Sequence, residues 1–192
     1  MKKAFKLIFG GIAALVLLVI VLLVVDISND DKETAREDTN EQTTDEESFK
    51  TYAENITGRS FVKDVSLVDN HSVITFYGDF DEFKAAKPDS NLTEEDYKGY
   101  FETGDAVKKI LVIENVRLLR QFPTLNGAKM TLPYDGNTYS IELNRETVNE
   151  YLGFNVEDLK TEDDSWNEKF LDPIGYDEEK RNNFFNEFGD VE

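Results

Sequence analysis

The chain has 192 residues, room for one domain and an appended segment, and carries 40 Asp and Glu against 21 Lys and Arg, a net charge of −19. That balance argues against nucleic acid as a partner, because such binding needs basic side chains to neutralise phosphate. With no cysteine, thiol nucleophiles, thiolate metal sites and disulfides are all excluded, so stability must come from burial.

Leu7 to Val25 (LIFGGIAALVLLVIVLLVV) holds no charged or strongly polar side chain. At ~1.5 Å per helical residue it is long enough to cross a hydrocarbon layer of about 30 Å. A single helix there satisfies its own backbone polar groups. Lys2, Lys3 and Lys6 precede it, while Asp26, Asp30 and Asp31 follow. Positive residues stay inside, so the expected topology is a single-pass cell-membrane protein with a cytoplasmic N-terminus and everything after the span outside. A cleaved signal peptide is the rival, but its apolar region would be about 7–15 residues and end in a small-residue site. The expected division is a stub and anchor over 1–25, a stalk over 26–47 and an extracytoplasmic domain over 48–192.

Beyond the anchor, 18 bases face 40 acids, a charge of −22. Such a surface repels anionic lipid headgroups and attracts cations and basic partners. An exported domain without cysteine fits the bacterial envelope better than a eukaryotic secretory route. The sequons at Asn55, Asn70 and Asn91 are read as chance in a chain rich in Asn, Ser and Thr. Ile27 to Glu47 has only Ile27 and Ala35 as apolar residues and cannot offset the cost of ordering its backbone, so it is predicted to be a disordered stalk.

Phe49, Tyr52, Ala53 and Ile56 have helical spacing, with Gly58 placed to close the helix. Alternation over Phe61 to Leu67, a turn at Asp69-Asn70-His71 and the run Ser72 to Tyr77 predict a hairpin whose second strand is the more central. Asp79 to Lys87 reads as a short helix stopped by Pro88. Thr93 with Asp96 three residues later is a capping-box pattern, opening a helix with Tyr97, Tyr100 and Phe101 on one side. Ala106 to Phe122 is the longest element, ended by Pro123. Its apolar residues spread around the helix, which predicts cover on more than one side, with a strand over Lys109–Ile113 as the competitor.

The clearest local signal is a second hairpin. Met130, Leu132 and Tyr134 alternate up to Asp135-Gly136, and Tyr139, Ile141 and Leu143 alternate after it. Pro133 places its strand at an edge or a bulge there. Asn144 caps a short helix ended by Gly153. The C-terminal part is acidic and aromatic, with one helix stopped near Pro173 and another over Asp177 to Phe188. The predicted fold is α+β: a small antiparallel sheet built from two hairpins with helices packed on it, preceded by a single transmembrane helix.

Chemistry is harder to find. His71, the lone histidine, reads as a solvated turn residue rather than a catalytic base. One histidine cannot build a zinc site. The acidic groups Asp79-Asp81-Glu82 and Asp163-Asp164 lack the EF-hand pattern. A carboxylate pair for glycoside hydrolysis is not selected by any spacing, and no glycine pattern supports a nucleotide. No catalytic residue, metal or cofactor is therefore assigned. Trp166, Phe170, Phe184, Phe185 and Phe188 are the candidate partner-binding residues, against the alternative that they form the domain's own core. The expected function is a non-enzymatic binding or accessory domain of the cell envelope that engages another envelope protein. Its alternatives are an acid-dependent wall hydrolase and a divalent-cation-responsive domain.

Overall fold

The computed structural model describes residues 43–192. The proposed anchor, Leu7–Val25, and most of the proposed stalk lie outside those residues. Among the described residues no helix is long and apolar enough to cross a membrane.

Local chemistry starts most of the elements. Helix α1 (Glu46–Ala53) begins where Asp45 accepts a hydrogen bond from the Ser48 N–H at 2.8 Å. The hairpin β1 (Val62–Val68) and β2 (His71–Phe76) turns at Asp69 and Asn70, both at positive φ, as a two-residue primed turn requires. Asp79 caps α2 (Phe80–Ala86), and a full capping box between Thr93 and Asp96 opens α3 (Glu94–Phe101). Thr103 caps α4 (Gly104–Gln121). Asp135 and Gly136, again at positive φ, join β3 (Gly127–Tyr134) to β4 (Asn137–Asn144). Asn144 caps α5 (Arg145–Leu152), with Gly153 left-handed at its end. A π-helical segment (Asn167–Gly175) precedes α6 (Glu178–Phe188) and the short β5 (Gly189–Val191).

The fold is α+β, with one mostly antiparallel five-stranded sheet in the order β1-β2-β3-β4-β5. The two hairpins meet through β2 and β3, which pair in parallel from His71↔Gly127 to Thr75↔Thr131. A parallel pair needs a crossover, and α2, α3 and α4 supply it. On one face Ile74, Phe76, Ala128, Met130, Leu132, Ile141 and Leu143 are buried. The alternating positions Val73, Thr75, Lys129, Thr131, Ser140 and Glu142 stay partly or fully exposed. One face therefore carries the core and the other is open.

Helix α4 is the core's axis. It packs on β3 and β4 and also meets α6 and the π segment, so its apolar residues are buried around most of its girth. That is why its amphipathicity is weak, and the strand alternative at Lys109–Ile113 is not adopted. Pro133 lies in an inner strand of the sheet, at a point where β3 is paired on one side only, the local edge its ring calls for. Its missing N–H costs nothing because the β2 ladder ends at Thr131, two residues earlier.

Four features depart from expectation. The fold begins before Ser48: the Thr44 N–H donates to Asn70 Oδ1 at 3.1 Å, and its hydroxyl meets that of Thr124 at 2.6 Å. Thr44 to Glu47 are thus part of the domain, not the stalk. His71 is the first residue of β2, half-buried, with its ring against Gly127 and Nδ1 2.9 Å from the Asp69 carbonyl. Pro173 sits inside the π segment rather than ending a helix before it. The turn there is wider than an α-helix, with the Tyr176 N–H donating to the Leu171 carbonyl five residues back at 2.7 Å. Strand β5 is three residues long and has no alternation to announce it.

Candidate functional site

The C-terminal aromatics are not displayed. Trp166, Phe170, Phe184 and Phe185 are buried in the core, and only Phe188 is partly exposed. Trp166 stacks on Phe170 at 4.8 Å between ring centroids, with the Arg120 guanidinium 4.9 Å above the indole. Phe184 meets Phe170, Phe188 and Tyr151. Partner docking through these rings would require opening the core, so they are packing residues in this fold.

A different set of residues is brought together at the carboxyl ends of the parallel pair. Both β2 and β3 finish at the same edge of the sheet, and their ladder stops at Thr75↔Thr131. The chains then diverge, β2 into Gly78-Asp79-Phe80 and β3 into Pro133-Tyr134 and the Asp135-Gly136 turn. Between them lies a cleft of about 480 Å³, closed on its third side by Glu94, Tyr97, Lys98 and Glu102. Crevices at the carboxyl ends of parallel strands are where sheet proteins commonly take ligands.

The cleft is aromatic and anionic. Phe80 and Tyr97 stand 6.2 Å apart between ring centroids, and Tyr134 and Pro133 supply further apolar surface. Four carboxylates line it: Asp79, Glu94, Glu102 and Asp135. The single cation there, Lys98, is held 2.6 Å from Glu94 one helical turn away. Asp79 is engaged in capping, accepting from the Glu82 N–H at 2.8 Å. The Tyr97 hydroxyl donates to the Tyr77 carbonyl at 3.1 Å. Burial first, then the Asp79 and Glu82 charges, push its pKa up to about 12, so it is a neutral donor at physiological pH.

Glu102 is held in an unusual backbone state. Its φ of 51° and ψ of −47° lie at the centre of a γ-turn in which the Thr103 N–H donates to the Phe101 carbonyl at 2.5 Å. This turn form is rare and strained, at a cost on the order of 1–3 kcal/mol. It makes the sharp break between α3 and α4 and places the exposed Glu102 in the lining of the cleft.

The acids singled out from sequence do not converge. Asp79 lies in this cleft. Asp163 and Asp164 lie in the loop before the π segment, occupied with the Ser165 N–H and the Asn167 amide. Among the described residues no three His, Asp or Glu side chains are grouped to hold a metal ion. From sequence, Glu94 falls in a capping segment, Tyr97 on a helix face, Tyr134 in a strand and Asp135 in a turn, and Glu102 carries no signal. The chain matches no protein-family model, no curated protein and no solved structure.

Proposed function

We propose that this protein is a membrane-anchored binding domain of the bacterial cell envelope, displayed outside the membrane, which uses the cleft at the β2 and β3 carboxyl ends to hold a basic segment of another envelope protein. The anchor rests on the hydropathy of Leu7–Val25 and the charge asymmetry around it. The binding role rests on one observation: four carboxylates and three aromatic rings line one cleft whose only cation is already paired. Lys or Arg side chains entering it would gain charge-assisted hydrogen bonds at the rim and contact with ring faces inside. An excess of carboxylates also draws a basic partner in by long-range attraction, which salt screens. Binding rather than catalysis is favoured because Asp79 is committed to a cap, Glu94 is paired with Lys98, and Glu102 and Asp135 are exposed.

The test has two arms. Protease added to intact cells should remove the domain; full protection would refute the external placement. A tetra-lysine peptide should bind the full-length protein in non-ionic detergent, and Glu102→Gln with Asp135→Asn should weaken it about tenfold, at ~1.4 kcal/mol per decade. Removing the same two charges at the distant exposed Glu146 and Glu150 is the control. Equal losses in both double variants would show that general acidity, not the cleft, does the binding.

A further inference from the structure

A second cleft runs along α4 and goes beyond the function just proposed. Its floor is one stripe of that helix: Ala106, Lys109, Ile110, Ile113, Glu114 and Arg117, at i, i+3, i+4, i+7, i+8 and i+11. Tyr176 walls one side, Tyr100 and Thr57 the other, and the enclosed volume is about 300 Å³. At ~1.5 Å per residue the stripe from Ala106 to Arg117 spans roughly 16 Å.

Two groups in it are left wanting. Glu114 is wholly buried, although a carboxylate out of water is costly unless it is fully partnered. Its Oε1 accepts from the Thr57 hydroxyl at 2.5 Å. Its Oε2 lies 3.2 Å from Arg117 Nη1, near enough for an ion pair, yet no hydrogen bond reaches it. A buried acceptor in the lining of the cleft is therefore without a donor. Lys109 is the second. Among the described residues it is paired with no carboxylate, and its ammonium sits 4.8 Å over the exposed Tyr176 ring. An ammonium that lines the cleft with no carboxylate beside it is a site for an anion. With Glu114 and Arg117 offsetting one another, the cleft carries one spare positive charge.

We infer that this cleft binds the carboxyl-terminal residue of a peptide. A terminal carboxylate answers Lys109, the last backbone N–H answers Glu114 Oε2, and an apolar side chain lies on Ile110 and Ile113 between Tyr100 and Tyr176. Each demand of the cleft is met by one group of a peptide end. An internal peptide segment lacks the charge, and a simple fatty acid lacks the N–H.

The experiment is calorimetric titration of the full-length protein in non-ionic detergent with N-acetyl-Ala-Leu, its carboxamide, its Leu N-methyl analogue and free leucine. The acid should bind, and the carboxamide and the N-methyl analogue should each bind about tenfold more weakly, the loss expected for one charge-assisted hydrogen bond. Lys109→Gln, at an exposed position, should abolish the preference for acid over carboxamide while leaving the unfolding midpoint unchanged. Glu102→Gln with Asp135→Asn should leave this binding intact, so failure here and failure of the basic-segment reading are separate results. Equal affinity for acid and carboxamide, a preference that survives Lys109→Gln, or no penalty for N-methylation would each overturn the inference. Binding of free leucine without N-acetyl-Ala-Leu would overturn it in favour of a free amino acid.

Discussion

Arg145 offers the sharpest test of how the fold is held together. As the first residue of α5 it reaches back to the end of α4. Its Nε donates to the Leu125 carbonyl at 2.7 Å, and Nη2 donates to the Leu119 and Phe122 carbonyls, each at 2.8 Å. Nη1 meets Glu157 Oε2 at 2.9 Å. The carbonyls at the end of a helix have no partners within it, and a cation there also suits the helix dipole. Arg145→Ala removes all four contacts and leaves Glu157, three-quarters buried by its side chain, without its counter-charge. Hydrogen bonds to a charged group contribute about 1.5–3 kcal/mol each, but they are not additive, and water enters the vacated space. The expected loss is therefore about 3–5 kcal/mol, the range for removing one partner of a buried pair. At roughly 2–4 °C per kcal/mol the unfolding midpoint should fall by at least about 6 °C. Trp166, the only tryptophan and buried, reports unfolding through its fluorescence. Arg145→Lys should recover only part, since an ammonium cannot span three carbonyls in a plane. A loss below about 1 kcal/mol for the alanine variant would refute the assigned role.

Phe61 sits among Phe83, Tyr97, Tyr100 and Phe101, with centroid distances from 4.9 to 5.5 Å. Phe61→Ala should cost about 3–5 kcal/mol in urea unfolding, whereas Phe188→Ala, at a partly exposed ring, should cost clearly less. Gly136, at φ 78°, has open space where a side chain would stand. Gly136→Ala should therefore cost only the left-handed backbone penalty, about 1 kcal/mol, and Gly136→Val more. Tyr97 should titrate well above the ordinary tyrosine range in absorbance at high pH. Its folded pKa is raised to about 12 from 10.0, so the stability it contributes is complete below pH 10 and lost as pH rises toward 12. The sign reverses for Asp96 and Asp163, held below the usual carboxylate range by hydrogen bonds from Thr93 and Ser165 respectively. Their contribution is present above the ordinary Asp pKa and disappears as pH falls through the depressed values, so acid should loosen the starts of α3 and the π segment first, read by amide exchange.

Much of the fold was legible because the forces that start and stop elements are local. The Thr93–Asp96 capping box, the Asn144 cap and the Asp135-Gly136 turn act between residues at most four apart. All of them are present in the structure as the sequence predicts. The candidate site was not legible. Glu94, Glu102 and Asp135 become neighbours of Phe80 only because β2 and β3 align in parallel and their shared ladder stops at Thr75↔Thr131. Nothing near any one of them encodes that. Thr44 looked like stalk for the same reason: its partners, Asn70 and Thr124, are remote in the chain.

The sequence alone settles the composition-level facts: a disulfide-free, strongly acidic chain with one long apolar run, and an α+β set of helices and hairpins. Hydropathy, caps and turns are properties of a few adjacent residues, so they can be read without coordinates. Tertiary structure alone decides that the hairpins join in parallel and that Trp166, Phe170, Phe184 and Phe185 face inward. It also decides that a carboxylate-lined cleft opens beside Pro133 and that Glu114 is buried with one oxygen unanswered. Those outcomes depend on which distant surfaces meet, and that is set by the packing free energy of the whole chain rather than by the preference of any segment.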